Sequence, residues 1–395
     1  MNRLVYRLII SKLVLVLAAL APIVVCAQNL GPNVNTEGDE YINQVFNDSI
    51  IFTRRSGNEF VFSSRTVDGQ YMPASALNIS WYHNNGFGAA SLTADGKRMY
   101  FVGIEYPDGI GRGDIYCSEC VDNQWSAPVN VGKPINSGTM ESQPYISADG
   151  KELYFVRDTK NNKSNIYVSQ YLQGNWSAPK SLDVNTRFGE MSPFVNAKGT
   201  ILYFASEGHG GLGGYDIFMC KRLPSGEWGD PENLGAPVNS EKNEISFRLS
   251  ADGKKCYVSS DRDGGSGGFD IYVFDFMEPF VMRNINFEFD SAVLQESSYQ
   301  AIDSLANFLK ENPLITIEIS GFTDDTGTEE HNRKLSFDRA NAVKEALINK
   351  GILEDRLKAT GYGSNNPIAP NDSDEHKAIN RRVEITPNFK LQTPN

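Results

Sequence analysis

NSGTMESQPYISADGKELYF, Asn136 to Phe155, belongs to a pattern that this chain repeats. Related lead motifs begin at Asn35 (NTEGDE), Asn85 (NGFGAA), Asn185 (NTRFGE) and Asn239 (NSEKNE), about 50 residues apart. Each except the one at Asn85 carries a glutamate five residues after its asparagine; there the residue is Ala90. Behind these motifs follow TADGKRMYF, SADGKELYF, NAKGTILYF and SADGKKCYV, ending at Phe101, Phe155, Phe204 and Val258. Next come GDIY, SNIY, YDIF and FDIY, then NQWSAP, GNWSAP and GEWGDP.

Each unit reads as a turn (DGK), a strand, a Gly-rich loop, a strand, a turn and an outer strand around Trp-x-x-Pro. Aromatic and β-branched residues alternating between turn signals favour strands over helices. A period near 50 with about four short strands per unit is the pattern of an all-β propeller. The units resemble the WD-repeat-like repeats of TolB-like and many OmpA-linked exported proteins, over roughly residues 30–275. Five blades are expected; a sixth would need a unit the sequence does not display. In the divergent first blade, SIIFTRR and EFVFSSR are taken as inner strands. The last unit stops at DIYVFD, and QNLGPNVN near the N-terminus matches the ENLGAPVN that follows the outer strand elsewhere. The N-terminal segment is therefore expected beside the last blade.

EGHGGLGGYD and RDGGSGGFD look like phosphate-cradling glycine loops, but each leads into a strand and no Lys-Ser or Lys-Thr follows. Asp114, Asp216 and Asp270 recur at one position of the unit, as turn residues do; a calcium site among them is the alternative. Cys117 and Cys120 form a C-x-x-C without a second pair or nearby histidine. Residues three apart on a strand face opposite sides, so unpaired thiols are favoured over a local disulfide. Cys256 stands where another unit has Leu153 and reads as core. His83 and His209 are isolated and read as loop residues. No nucleophile, base and orienting group stand out together.

The chain opens with MNRLVYRLIISKLVLVLAALAPIVVCAQ, a basic region followed by an apolar run and small residues before Gln28. This is the pattern of a secretory signal peptide over 1–27; the alternative is a lipoprotein signal with Cys26 lipidated, against which Val25 is large. No later segment approaches the ~20 apolar residues of a membrane helix. The remaining 368 residues exceed one ordinary core, so two domains are expected. Without Arg3, Arg7 and Lys12 the net charge falls from −12 to −15, which argues against nucleic-acid binding.

After Asp275 the repeats cease, and 276–281 reads as a linker. NINFEFDSAVL reads as a strand and its exit. SSYQAIDSLANFLKENP is a helix, LITIEISGF a strand, NRKLSFDRANAVKEALINKG a helix closed by Gly351, and RLKATGYG a strand. HKAINRR and VEITPNF add a helix and a last strand, making a small α/β sandwich of βαβαβ type. Wound at about 100° per residue, Asn332 to Leu347 brings Leu335, Arg339, Val343 and Ala346 onto one apolar stripe. A guanidinium there is costly unless an anion meets it.

FEFDSAVL, SGFTDDTG, HNRKLSFDRANAV, GYGSNNPIAPN and NRRVEI resemble the OmpA-like peptidoglycan-binding domain, over roughly 282–390. The resemblance implies that Asp324 and Arg339 grip the amino-acid end of diaminopimelate in the peptide stem of peptidoglycan. Arg339 would take the carboxylate through two parallel hydrogen bonds and Asp324 the ammonium. Asn332 adds polar contacts, with Thr323 a weaker candidate. Of Arg381 and Arg382 one braces the site; Arg382 is carried as the candidate. The rival reading pairs Asp324 with Arg339 alone. Phe322 stands where the family has a histidine, which would make the rim more apolar. His331 replaces a common aromatic near the helix start.

The expected protein is a non-catalytic envelope protein of a Gram-negative periplasm, holding peptidoglycan at one end and a protein partner through its propeller. Outer-membrane association follows from the resemblance, and neither cofactor nor metal is expected. An enzymatic activity of the propeller on an envelope glycan or peptide is the alternative.

Overall fold

The structure, a computed structural model, describes residues 27–389 apart from 47, 57, 78, 80–86, 123, 160–162, 277, 279, 283–284, 289 and 314. The segment read as a signal peptide (with Cys26), the asparagine of the lead motif at Asn85, and His83 lie outside the described residues.

Residues 28–275 form five antiparallel sheets of four or five strands, one for each repeat. The first strands of the sheets are Asp39–Val45, Phe87–Leu92, Glu141–Ile146, Glu190–Val195 and Glu244–Leu249. In the first sheet, SIIFTRR and EFVFSSR are the second and third strands rather than the inner pair. The strand ahead of them, DEYINQV, hides its periodicity because its register slips at Asn43. The fifth sheet takes its fourth strand from Gln28–Asn29, antiparallel to Asp270–Asp275, as the match between QNLGPNVN and ENLGAPVN implies.

The repeated lead motif is a clamp between sheets. In Asn136 the side-chain amide donates to Ile115 O and its oxygen accepts from Ile115 N, both at 2.9 Å. Asn185, Asn239 and Asn35 do the same to Ile166, Ile217 and Ile271. Each asparagine thus fastens the start of one sheet to the third strand of the sheet before it. For Asn35 that earlier sheet is the fifth, 236 residues later in sequence. The glutamates of these motifs, Glu40, Glu141, Glu190 and Glu244, are fully buried. Each accepts a backbone N–H and a hydroxyl from the residue after its clamp asparagine, as Glu141 does from Ser137. Arg54, Arg157 and Arg262 neutralise three of them at 2.7–3.0 Å, which meets the cost of burying a carboxylate.

The recurring aspartates stand at the starts of strands and hold the loops before them. Asp216 accepts from Leu212 N at 2.6 Å, Gly213 N at 3.3 Å and Asn233 Nδ2 at 3.0 Å. Asp114 repeats the arrangement with Ile110 N, Gly111 N and Asn130 Nδ2; Asp270 accepts on Oδ2 from Ser266 N and the N-terminal Asn29, while its Oδ1 is buried without a hydrogen-bond partner among the described residues. The glycine loops therefore wrap an aspartate of their own unit. Cys117 and Cys120 share the strand Gly113–Val121 as free thiols, and burial raises Cys117 to about 11.

Apolar burial follows the same circuit. One cluster joins Ile51 and Val61 to Leu92 and Phe101, the next Tyr100 to Phe155, the next Tyr154 to Phe204. Another joins Tyr203 to Phe247, and the last joins Ile42 and Phe52 to Tyr257 and Ile271. The first sheet thus packs on the fifth.

Residues 280–389 make a four-stranded sheet ordered Phe280–Val281, Val383–Phe389, Ile315–Gly321, Leu357–Gly361. Helices α1 (Tyr299–Glu311) and α2 (Glu329–Asn349) contribute to its core, and α3 (Asp374–Asn380) precedes the last-formed strand. The described residues of NINFEFDSAVL form no strand of this sheet. Its chain reverses at Asp290 (φ 46°), leaving a single bridge between Phe287 and Leu294. The edge strand comes instead from residues expected in the linker. Nor is that linker slack: Phe276 is buried beside Phe247, and Glu278 accepts from Tyr203 Oη at 2.9 Å and Asn196 Nδ2 at 3.0 Å. Lys221 of the fourth sheet pairs with Glu384 at 3.1 Å.

Asn35→Ala removes two buried hydrogen bonds at the junction of first and fifth sheets. It should lower unfolding free energy by about 1–3 kcal/mol in urea titration and speed proteolysis near Gln28. Unchanged stability and cleavage would show that the junction is held elsewhere.

Candidate functional site

Helix α2 sets the site. Thr328 caps it by accepting from His331 N at 3.2 Å, and Glu329 and Glu330 complement the positive end of its dipole. It closes on Gly351, whose positive φ (88°) only glycine adopts freely. Its first turns lie directly on two strand ends: a Cβ at Gly321 would strike Ser336 O, and one at Gly361 would strike Phe337 N. This contact brings the loop after Gly321, which carries Thr323 and Asp324, beside Asn332.

The buried face of α2 comprises Asn332, Ser336, Arg339, Ala340, Val343, Ala346 and Leu347, with Leu335 only half-buried. Arg339 is 9% exposed, on the stripe where the helical wheel put it. Its Nε donates to Ser291 O at 3.0 Å, and its guanidinium lies 5.1 Å from the Phe287 ring centre. It forms no ion pair among the described residues. Burial, together with the nearby Arg381 charge, moves Arg339 below the usual arginine value; Asp290 and Asp324 act in the opposite sense.

Asp324 does not pair with Arg339. Its Oδ2 accepts from Arg381 Nη1 at 2.6 Å and its Oδ1 from Thr326 N at 2.8 Å. Burial alone would raise this carboxyl, but the Arg381 hydrogen bond and the Thr326 amide outweigh it and hold the pKa below the ordinary range. Asn332 Nδ2 reaches Asp324 O at 3.3 Å, fixing the loop to the helix. Thr323 Oγ1 is buried without a hydrogen-bond partner among the described residues. Such an atom marks a place where a water or ligand is wanted.

Arg382 is engaged away from Asp324. It donates to Glu384 at 2.7 Å and to Asn366 O at 3.0 Å, and its guanidinium sits 3.8 Å from the Phe322 ring centre. Phe322 is itself 5% exposed and stacked on Tyr362 at 5.2 Å, so it braces the interior instead of forming an apolar rim. His331 contacts Asp290 at 2.9 Å, holding the reversed chain over α2.

The structure therefore gathers Thr323, Asp324, Asn332 and Arg381 closely, with Arg339 in electrostatic reach and Arg382 behind. Ser291 and Phe287 are contacts that sequence reading does not assign; their signal is the FEFDSAVL motif, which reads only as a strand. The arrangement suits a ligand carrying both charges: a guanidinium without a carboxylate partner among the described residues for an anion, and an oriented carboxylate for a cation.

Arg381→Ala should raise the Asp324 pKa, followed by carboxyl 13C NMR titration. In the intact protein the depressed pKa contributes stability present above the unfolded value of about 3.9 and lost as pH falls through the folded value. The variant should lose that contribution; an unmoved titration would remove Arg381 from this role.

Residues 286–381 match the family model described as the OmpA family. Over 105 residues the chain is 44% identical to outer membrane porin F of Pseudomonas aeruginosa, covering 26% of this chain and 30% of that protein. It is 41% identical over 104 residues to peptidoglycan-binding protein ArfA of Mycobacterium tuberculosis, covering 26% and 32%. A crystal structure of the peptidoglycan-associated lipoprotein from Burkholderia pseudomallei is 31% identical, covering 28% of this chain and 90% of that one with a TM-score of 0.26. The chain thus spans about a third of the curated relatives' length, and the matched segment is the α/β domain alone. That C-terminal domain is OmpA-like.

Proposed function

We propose that the C-terminal domain binds peptidoglycan non-catalytically, through the diaminopimelate end of its peptide stem. The observation that carries this reading is Arg339: a mostly buried guanidinium with a backbone carbonyl on Nε and no carboxylate partner among the described residues. A stem carboxylate supplies that partner. Asp324, already oriented by Arg381 and Thr326, accepts the neighbouring ammonium through its remaining lone pairs. Thr323 Oγ1 and Asn332 are placed to complete the polar shell, Arg381 is the bracing cation, and Arg382 supports it from behind through Phe322. The name of ArfA is consistent with this ligand.

Residues 28–275 are read as a five-bladed propeller that meets an envelope protein partner. The cyclic run of clamps and apolar clusters, with the first sheet on the fifth, supports the ring. The protein is placed in the periplasm, associated with the wall and outer membrane of a Gram-negative bacterium.

In co-sedimentation with purified sacculi, Arg339→Ala and Asp324→Asn should each reduce bound protein about tenfold or more, the scale of a lost charge-assisted pair. Circular dichroism should remain that of the parent. Normal pelleting of both folded variants would defeat the assignment.

A further inference from the structure

The first strands of all five sheets carry a bulge. The register slips at Asn43, between Gly88 and Ser91, between Ser142 and Tyr145, between Met191 and Phe194, and at Ile245. Residues at every slip line one cavity of about 220 Å³, to which all five sheets contribute. Three of them, Ala89, Gln143 and Ser192, hold φ of 48–54°, the left-handed region that non-glycine residues seldom occupy. Repeating a strained bulge around one space widens it at the expense of the ladder.

Arg248 lies in this cavity, 7% exposed. Its Nε donates to Asn43 O at 2.6 Å and its Nη1 to Phe247 O at 2.7 Å; no acceptor for Nη2 is found among the described residues. Tyr145 and Phe194 flank the guanidinium at 5.6 and 5.4 Å from their ring centres. No Asp or Glu among the described residues lines the cavity, in a chain whose net charge is −12. The second cation there, Arg55, is exposed and already pairs with Asp39 at 3.4 Å. Burial pushes Arg248 down to about 10, so it stays charged at neutral pH. An arginine needed only to tie two carbonyls together would leave this charge unbalanced, which is costly in an interior.

We propose that the central cavity binds a carboxylate at the end of a short aliphatic group, seated on Arg248. One buried cation matches a monoanion better than a dianionic phosphate. The Gln143 side-chain nitrogen and the Ser246 hydroxyl supply polar contacts, and Val102, Ile104 and Ile245 an apolar wall for the carbon tail. The carboxylate belongs either to a free short acid or to a chain terminus entering the ring. This site is independent of the peptidoglycan reading.

The test titrates the chain from Gln28 onward carrying Arg339→Ala, which removes the proposed C-terminal carboxylate site, with butyrate, butanol, inorganic phosphate and N-acetyl-dialanine. Binding is followed by saturation-transfer NMR. Butyrate should bind at one site, butanol and phosphate about tenfold or more weaker. Arg248→Gln should weaken butyrate about tenfold or more, and Ile245→Trp, which fills the cavity and leaves the arginine, should do the same. Tighter binding of N-acetyl-dialanine than of butyrate would support the site and assign it to a chain terminus; the reverse supports a free acid. The proposal is overturned by absence of carboxylate binding, by equal binding of butanol or phosphate, or by butyrate binding undiminished in Ile245→Trp.

Discussion

The described sheets of residues 28–275 are joined by one side-chain amide device used four times over. An asparagine that both donates to and accepts from a single isoleucine backbone satisfies a strand as another strand would, but does so across a junction between sheets. The glutamate five residues later is then carried to full burial, and only a partner cation or hydroxyl makes that tolerable. The spacing of the repeat is the spacing of this device. It also explains why the N-terminal segment is required: Asn29 and Asn35 supply to the fifth sheet what Asn130 and Asn136 supply to the second.

The C-terminal domain handles charge by the opposite rule. Where the repeats neutralise buried carboxylates, α2 leaves Arg339 without a carboxylate partner among the described residues and gives Asp324 a different one. Arg381 is the residue that pairs with Asp324 in place of Arg339. It holds Oδ2 of Asp324 at 2.6 Å, the place a bare Asp–Arg pair would give to Arg339.

Much of this is legible in the sequence because it is periodic. Five lead motifs, the terminal match of QNLGPNVN with ENLGAPVN, and the place of Arg339 on its helix all follow from spacing. What escapes sequence reading lacks a period or has a misleading one. DEYINQV does not announce itself as a strand because a bulge at Asn43 breaks its alternation. NINFEF alternates correctly, since Ile285 and Phe287 do pack on the core, yet the chain turns at Asp290 before it can pair. Arg381 and Arg382 are adjacent, and neighbours at the start of a strand face opposite ways. Only the fold says which meets Asp324. The cavity arginine is hidden because Arg248 sits in a strand whose other units carry no arginine at that place.

The join between the two halves has a mechanical meaning. Arg381 touches the site, Arg382 grips Glu384, and Glu384 holds Lys221 in the fourth sheet, while Glu278 is fastened to Tyr203 of the same sheet. Tension applied at Asp324 would run along the strand Val383–Phe389 and enter the fourth sheet at two points. The molecule would answer a pull as a stiff bracket, in which the orientation of one half is inherited by the other.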